Sequence, residues 1–275
     1  MAFVIFCVLV LLLVAGLALQ PRWVAYRRAR IAAQAFPQSW RKILQRRVPL
    51  VWRLPCALQL QLKKHMQVFI AEKAFIGCAG LRVTEEMRVV IAAQACVLLL
   101  NRPTDYFGNV RQILVYPGAF VVHRTTTDST GVQLEHREAL AGESWSQGQV
   151  VLSWQDALAG AAAADDGRNV VIHEFAHQLD QENGAAMGAP PPAPGNTVYS
   201  ARRWSQVFHA AYARLQSEVQ LGIAGLLNHY GAQDPAEFFA VVSEVFFEQA
   251  QDLRAYDPAL YEELRSFYQV DPAGW

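Results

Sequence analysis

The sequence lacks an excess of charge of either sign, since its 275 residues contain 24 Lys and Arg against 24 Asp and Glu. A formal net charge of zero gives no electrostatic reason to expect a nucleic-acid partner, and it argues against an acidic disordered chain. Cysteine is also scarce: there are four, and none has CxxC spacing. The cysteines therefore resemble buried thiols more than a disulfide framework or a zinc–thiolate site.

One long hydrophobic run is present, at residues 2–19, and it is about the length that crosses a bilayer as a helix. The positive residues follow the run, at Arg22, Arg27, Arg28 and Arg30. This asymmetry favours a single-pass inner-membrane anchor with the rest of the chain on the cytoplasmic side. The alternative is a periplasmic protein whose signal peptide is cleaved at Gly16-Leu17-Ala18, which could serve as the cleavage site.

The remainder divides into three segments. Residues 21–57 form a basic linker, either a solvated connector or a segment lying against anionic headgroups. Residues 58–105 form a helical subdomain with the apolar stripe Leu62, Met66, Phe69 and Ile70, and with Thr84 as the N-cap of a second helix. Residues 106–275 form the last domain. The transmembrane anchor at residues 1–20 precedes all three segments.

Short β-strands are predicted early in the last domain, within QILVYPGAFVV and QVVLSW. The polar stretch between them, residues 123–148, is predicted as a loop. A small sheet here is expected to be antiparallel, because the connections are too short for crossover helices. Later segments are helical, with Asp234-Pro235 and Asp257-Pro258 as helix starts, while residues 184–196 are too rich in Gly, Ala and Pro for regular structure.

The segment NVVIHEFAHQLD contains an HExxH motif. On a helix, His173 and His177 lie one turn apart on the same face, so both imidazoles can bind one zinc ion. Zinc lowers the pKa of a bound water, and Glu174 is placed to take its proton as general base. A packed helix that buries two satisfied histidines is the structural alternative.

The third zinc ligand has to come from another segment, because Asp180 and Asn183 stand where HExxHxxGxxH needs Gly and His. Glu237 is the strongest candidate, as an acid in the first turn of an otherwise apolar helix. Glu244 follows seven residues later on the same side, and a core-facing helix does not place acids there without partners. The alternative is that both acids face solvent; Glu182, His209 and His229 are weaker ligand candidates.

Two further residues are candidates for supporting roles. Asp180 lies on the ligand face, seven residues after His173, where a carboxylate could accept the second ring N–H of a liganding histidine. Tyr230 lies seven residues before Glu237. Its phenol either packs against the domain or donates a hydrogen bond to the oxyanion of the tetrahedral intermediate.

Several long segments resemble the Mlc titration factor A family of bacterial zinc peptidases, from about Pro49 to the C-terminus. They are, in chain order, EMRVVIAAQACVLLL, ILVYPGAFVV, GESWSQGQVVLSW, NVVIHEFAHQLD and YGAQDPAEFFAVVSEVFF. Members of this family are soluble and begin without an apolar run, so residues 2–19 are a departure from it.

The resemblance implies a gluzincin-type site with one Zn²⁺ per chain, held by His173, His177 and Glu237. It implies Glu174 as the catalytic acid/base, Tyr230 as the hydrogen-bond donor in the transition state, and aminopeptidase-like activity on peptides. It also implies a partner, the glucose-responsive transcriptional repressor Mlc.

The fold expected from the resemblance and the patterns together is α+β and mainly helical. A zincin-like domain would pack a small antiparallel sheet on the HExxH helix, with residues 150–154 as the edge strand that pairs with substrate. Asp180 and Glu244 are expected to support the zinc ligands. The expected partners are a peptide substrate, the repressor and the membrane, and no nucleic acid.

Overall fold

The computed structural model describes residues 1–127, 133–140, 142–145, 148–193, 195–197 and 199–275. The helices are α1 (Ala2–Ala32), α2 (Gln38–Arg47), α3 (Leu50–Arg53), α4 (Cys56–Glu72), α5 (Glu85–Val97), α6 (Trp154–Ala162), α7 (Val170–Asp180), α8 (Ala201–Gln220), α9 (Pro235–Glu248), α10 (Ala250–Tyr256) and α11 (Pro258–Tyr268). The strands are β1 (Ala74–Gly77), β2 (Gln112–Tyr116), β3 (Phe120–Thr127), β4 (Gln133–Leu140), β5 (Gly142–Trp145) and β6 (Gln149–Ser153). Short 3-10 turns span Gln181–Asn183, His229–Ala232 and Pro272–Gly274.

The strands form a four-stranded sheet with the order β1-β2-β6-β5 and a separate hairpin of β3 and β4. Neighbours β1, β2 and β6 run parallel, and only β5 runs antiparallel to its neighbour β6. The sheet is therefore mainly parallel, and β5 is the edge strand on the side of β6.

The prediction of an antiparallel sheet is wrong for two reasons. The connection from β2 to β6 contains β3, β4 and β5 and is long enough to return the chain for parallel pairing, and the sequence patterns missed β1. Helix α5 lies between β1 and β2 and makes the crossover connection that parallel neighbours need. Residues 123–148 were predicted as a loop; where this stretch is described, it holds most of the β3–β4 hairpin and β5. The predicted edge strand, residues 150–154, is mostly β6, which lies inside the sheet.

A continuous apolar core joins the helices. Aromatic side chains of α9 contact those of α11 and α8, with Phe239 and Phe267 centroids 5.7 Å apart and Trp204 and Phe239 centroids 6.0 Å apart. Helix α7 buries Phe175, whose ring lies 4.7 Å from that of Phe107. Because burying a large aromatic side chain stabilises the fold by about 1.5–3 kcal/mol, both α7 and α9 are firmly held.

The predicted helix starts are confirmed. The Thr84 hydroxyl accepts the backbone N–H of Met87 at 3.3 Å, and Asp257 accepts that of Leu260 at 3.0 Å. Asp234 accepts the backbone N–H groups of Ala236 and Glu237 at 2.8 and 2.9 Å. Such caps satisfy amide groups that a helix leaves free at its N-terminus.

Helix α1 is long and apolar enough to span a bilayer, and none of its most apolar 18-residue window is buried. An N-terminal signal sequence passes the same test of length and hydropathy. The helix continues past the apolar run to the folded domain, where Arg28 pairs with Glu72 at 2.8 Å and donates to the carbonyl oxygen of Asp105. The helix is thus joined to α4 by a partly buried ion pair.

The segment predicted as a basic linker is largely helical. Leu44, Val48 and Val51 are buried in the same core as the later helices. Arg46 and Arg47 both contact Glu86 on α5, at 3.2 and 2.5 Å. The division of the chain into four segments stays a prediction.

Candidate metal centre

Helix α7 carries the HExxH motif and is fixed at its N-terminus by Asn169. The Asn169 side-chain oxygen accepts the backbone N–H of Ile172 at 3.0 Å, which makes Asn169 the N-cap. Val171, Ile172 and Phe175 bury one side of the helix. His173 and His177 project from the other side as the spacing predicts, with ring centroids 4.9 Å apart.

Helix α9 brings the acidic residues to these histidines. Its run of Phe and Val is buried in the core, and Glu237 and Glu244 are directed at α7. The alternative that both acids face solvent is therefore wrong. The start of α7 lies beside Glu244 and Glu248 and its later part beside Glu237, so the two helices run in opposite directions.

Three donor atoms converge at this contact. The Nε2 atom of His173 lies 2.9 Å from Oε2 of Glu237 and 3.2 Å from Nε2 of His177. The Nε2 atom of His177 is 3.5 Å from the same carboxylate oxygen. Among the described residues, these three side chains form the one group of His, Cys, Asp and Glu close enough to share a metal ion.

The donor set fits a zinc ion. Tetrahedral zinc with bonds of about 2.0–2.1 Å needs ligand atoms about 3.3–3.4 Å apart, close to the observed 2.9, 3.2 and 3.5 Å. Two imidazole nitrogens that face each other repel if both present lone pairs, and a shared cation removes that repulsion. Two His and one Glu is also a ligand set that leaves a fourth position for water or substrate.

Glu174 lies in the same site with an orphaned carboxylate oxygen. The residue is only 5% exposed, and its Oε2 atom is buried without a hydrogen-bond partner among the described residues. Burial raises the pKa of Glu174 to about 7, and the nearby carboxylates of Glu237 and Glu244 act in the same direction. A bound divalent cation would lower this pKa again. A carboxylate poised near neutrality suits proton transfer.

The Glu237 carboxylate, in contrast, is held in its ionised form. Burial alone would raise the pKa of Glu237, but hydrogen bonds with His173 and His177 hold that pKa well below its ordinary value. Burial alone would likewise lower the pKa of His173, yet its hydrogen bonds with Glu237 and Glu244 raise that pKa well above the usual range. Without a metal, the centre therefore favours a positively charged His173 beside a negatively charged Glu237. A bound cation would take the place of the positive charge on the imidazole.

A second layer of polar contacts orients His173. Its Nδ1 atom lies 2.8 Å from Oε1 of Glu244, whose other oxygen accepts the backbone N–H of Asn169. The Asn169 side-chain amide donates to Glu248 at 2.8 Å. Since Nδ1 is directed at a carboxylate, one ring proton can be held there, and loss of the proton on Nε2 would free the Nε2 lone pair of His173 for a metal ion.

Asp180 does not make the contact predicted for it. Its oxygens accept the backbone N–H groups of Gly188 and Ala189 at 2.7 and 2.9 Å. The helical periodicity gave the correct face, but α7 ends at Asp180 and the following loop folds back over its carboxylate. The contact with a histidine ring N–H predicted for Asp180 is made by Glu244.

Tyr230 lies beside the centre, with its ring centroid 5.9 Å from that of His173. It belongs to the turn His229–Ala232, which precedes α9. The weaker ligand candidates lie outside the donor group: His229 contacts the carbonyl oxygen of Ile223 at 3.0 Å, and His209 is exposed on α8. Glu182 is exposed and follows α7.

Sequence reasoning missed Asn169 and Glu248 as members of this network. Glu248 follows Glu244 by one helical turn, so the spacing of acids on α9 continues beyond the pair that was recognised. Asn169 directly precedes the first helical residue, in the position that N-caps prefer. Both signals are weak without knowledge of the α7–α9 contact.

The fold and the donor set define a metallopeptidase-like centre on two packed helices. The family model of the glucose-regulated metallo-peptidases M90 matches residues 23–269. The chain belongs to this family, and the match begins just after the apolar run.

Curated relatives agree with the family match. The chain is 38% identical over 253 residues to an uncharacterized protein of Synechocystis sp.. This match covers 92% of the chain and 91% of the relative. It is 33% identical over 227 residues to Mlc titration factor A of Klebsiella pneumoniae and 32% identical over 228 residues to that of Salmonella agona. Each of the latter matches covers 82% of this chain and 84% of the relative.

The Glu248 carboxyl predicts a pH-dependent stability. Burial raises the pKa of Glu248 to about 8 from an ordinary value of 4.5. Between these values the folded chain keeps a proton that the unfolded chain has lost, so the free energy of unfolding falls as pH rises. Glu248→Gln removes the titrating carboxyl, and with it this pH dependence, but keeps an oxygen that accepts the hydrogen bond from Asn169. Denaturant unfolding in the presence of chelator is expected to show the variant losing less stability than wild type from pH 5 to 8.

Glu262→Gln is the matched control for this measurement, because the Glu262 side chain is 44% exposed on α11 and contacts Arg265 at the surface. Its pH profile is expected to parallel that of wild type. Parallel profiles for wild type and Glu248→Gln would contradict the protonated state assigned to Glu248.

Proposed function

We propose that this chain is a zinc-dependent peptidase of the gluzincin type, with His173, His177 and Glu237 as the ligands of one Zn²⁺. The convergence of three donor atoms within 3.5 Å, beside the buried and unpartnered carboxylate oxygen of Glu174, carries this proposal. The membership in a metallopeptidase family supports it.

A bound zinc ion would polarise the peptide carbonyl and lower the pKa of water. Glu174 then takes the proton from the attacking water and delivers it to the leaving amine, which completes hydrolysis of the peptide bond. Its burial excludes solvent, so the proton stays on the carboxyl between the two transfers. Tyr230 donates a hydrogen bond to the developing oxyanion, and Glu244 keeps His173 in its liganding orientation.

The substrate is a peptide, with aminopeptidase-like cleavage as the expected mode. Strand β5, as the edge of the sheet, offers its backbone to an extended substrate. This role replaces the one that the sequence suggested for residues 150–154.

A second function is favoured by the name Mlc titration factor A that several relatives carry. In this role the chain binds a glucose-responsive transcriptional repressor resembling Mlc, and the zinc site is secondary. Residues 2–19 would place such binding at the membrane surface.

We also propose that α1 is a single-pass anchor in the inner membrane, with the catalytic domain in the cytoplasm. The arginines follow the apolar run, and the exposed aromatic side chains of Trp23 and Tyr26 lie among them. Tryptophan and tyrosine prefer the interface between membrane and water, and arginine prefers the cytoplasmic side. The alternative is a periplasmic protein after signal cleavage.

The catalytic proposal predicts a split between two variants of the full-length protein. Glu174→Gln is expected to retain zinc and lose about 10²–10⁴-fold in kcat, because only the proton carrier is removed. Glu237→Ala is expected to lose both zinc and hydrolysis. Elemental analysis and peptide hydrolysis measure the two quantities, with Glu182→Gln as an exposed control near α7. Full activity of Glu174→Gln would overturn its role.

The repressor-binding function predicts capture of an Mlc-like repressor by Glu174→Gln in a pull-down with both proteins purified. Capture that persists while hydrolysis is lost supports a binding role independent of catalysis. If neither wild type nor the variant retains the repressor, the second function is excluded.

The orientation of the anchor predicts the behaviour of reporters fused after Trp275. A cytoplasmic reporter such as green fluorescent protein is expected to be active, and alkaline phosphatase, which needs the periplasm, inactive. The reverse pattern would establish the periplasmic alternative.

A further inference from the structure

A cavity of 430 Å³ lies between the loop after α7, helix α8 and the first turn of α9. We call it the aromatic pocket, because its walls include Tyr199, Trp204, Phe208, Tyr212 and Phe238. Prolines 190–192 form much of the loop wall. Small-molecule sites are commonly concave, of about 300–1,000 Å³, and lined by apolar side chains with a few polar groups.

The residues that line the aromatic pocket disfavour a charged ligand. None of the described residues that line the aromatic pocket is Asp, Glu, Lys or Arg, and the polar side chains include Ser205 and His209 on α8. A charged side chain entering this space would lose hydration without gaining an opposite charge. An aliphatic or aromatic side chain would instead exchange water for apolar contacts.

The pocket adjoins the metal centre through α9. Pro235 and Phe238 line it, and they flank Glu237 in the first turn of the helix. The first turn of α9 therefore contributes residues to both the pocket and the metal centre, so the two sites lie next to each other along this helix.

The loop wall is fixed by contacts from both sides. Asp180 accepts the backbone N–H groups of Gly188 and Ala189, and the indole N–H of Trp204 donates to the carbonyl oxygen of Gly188 at 3.1 Å. Gly188 has a φ of +69°, and a Cβ there would lie 2.3 Å from the carbonyl oxygen of Pro235. Such a close approach requires glycine. The pocket is thus preformed, and Asp180 is a positioning residue for its wall.

We propose that the aromatic pocket binds an uncharged apolar side chain of the peptide substrate, next to or near the bond that is cleaved. This inference rests on the proposed peptidase function and adds the class of substrate. Selection arises from the apolar walls and from the absence of a counter-charge among the described lining residues.

The test uses the full-length zinc protein and the pentapeptides Ala-Ala-Xaa-Ala-Ala, with Phe, Leu, Asp or Lys as Xaa. Mass spectrometry of the products reports exopeptidase and endopeptidase cleavage alike. For bonds near Xaa, kcat/KM is expected to be at least about tenfold higher for Phe and Leu than for Asp and Lys.

Two neighbouring residues of α8 provide a matched pair of variants. Ser205 and Gln206 are both exposed, but only Ser205 lines the pocket. Ser205→Asp is expected to lower the ratio of Phe to Lys cleavage by about tenfold or more, whereas Gln206→Asp leaves the ratio unchanged. Ser205→Trp, which narrows the pocket without adding charge, is expected to slow Phe and Leu peptides selectively.

Two outcomes separate the pocket from the catalytic proposal. Hydrolysis of all four peptides at similar rates would contradict the proposed role of the pocket but would be consistent with the proposed peptidase function. If wild type cleaves none of them, the proposed peptidase function fails, and binding of the same peptides to Glu174→Gln, followed by tryptophan fluorescence, decides the pocket. Tighter binding of the Phe peptide that is lost on adding Ser205→Asp would support the proposed pocket. Equal binding of all four peptides would contradict it.

Discussion

The packing of α7 against α9 is the contact on which the candidate site depends. Helix α7 supplies two imidazoles one turn apart, and α9 supplies Glu237, which is 64 positions from His173 in sequence and 2.9 Å away in space. Burying carboxylates costs free energy unless each finds a partner. Here Glu244 and Glu248 meet the N-terminus of α7, and Glu237 meets the histidines, so the same polar contacts both align the helices and shape the centre.

Features encoded over a few residues were predictable from the sequence. The HExxH spacing gave the shared face of His173 and His177, and the Asp–Pro pairs gave the helix starts. Features set by distant contacts were not. The parallel direction of the sheet depends on two connections, helix α5 between β1 and β2 and the segment with β3, β4 and β5 between β2 and β6. Asp180 could be assigned a face but not a partner, because its hydrogen bonds depend on where the following loop folds.

Helix α1 links the apolar N-terminus to the domain that carries the candidate centre without a break. Arg28 pairs with Glu72 and lies over the ring of Tyr106, 4.8 Å from its centroid. The next residue, Phe107, packs on Phe175 inside the HExxH motif. The proposed membrane anchor and the proposed metal centre are therefore connected through packed side chains. An anchored domain of this kind would meet peptides close to the membrane surface.

Zinc K-edge X-ray absorption on the purified full-length protein reports the atoms bound to the metal. Coordination by His173, His177 and Glu237 would give only nitrogen and oxygen neighbours at about 2.0–2.1 Å, two of them from imidazole, and an unchanged spectrum for Glu174→Gln. Cysteine is the competing ligand, because the chain has four cysteines without disulfide partners. Sulfur neighbours at about 2.3 Å, or a spectrum that is unaltered in Glu237→Ala, would contradict the assigned centre.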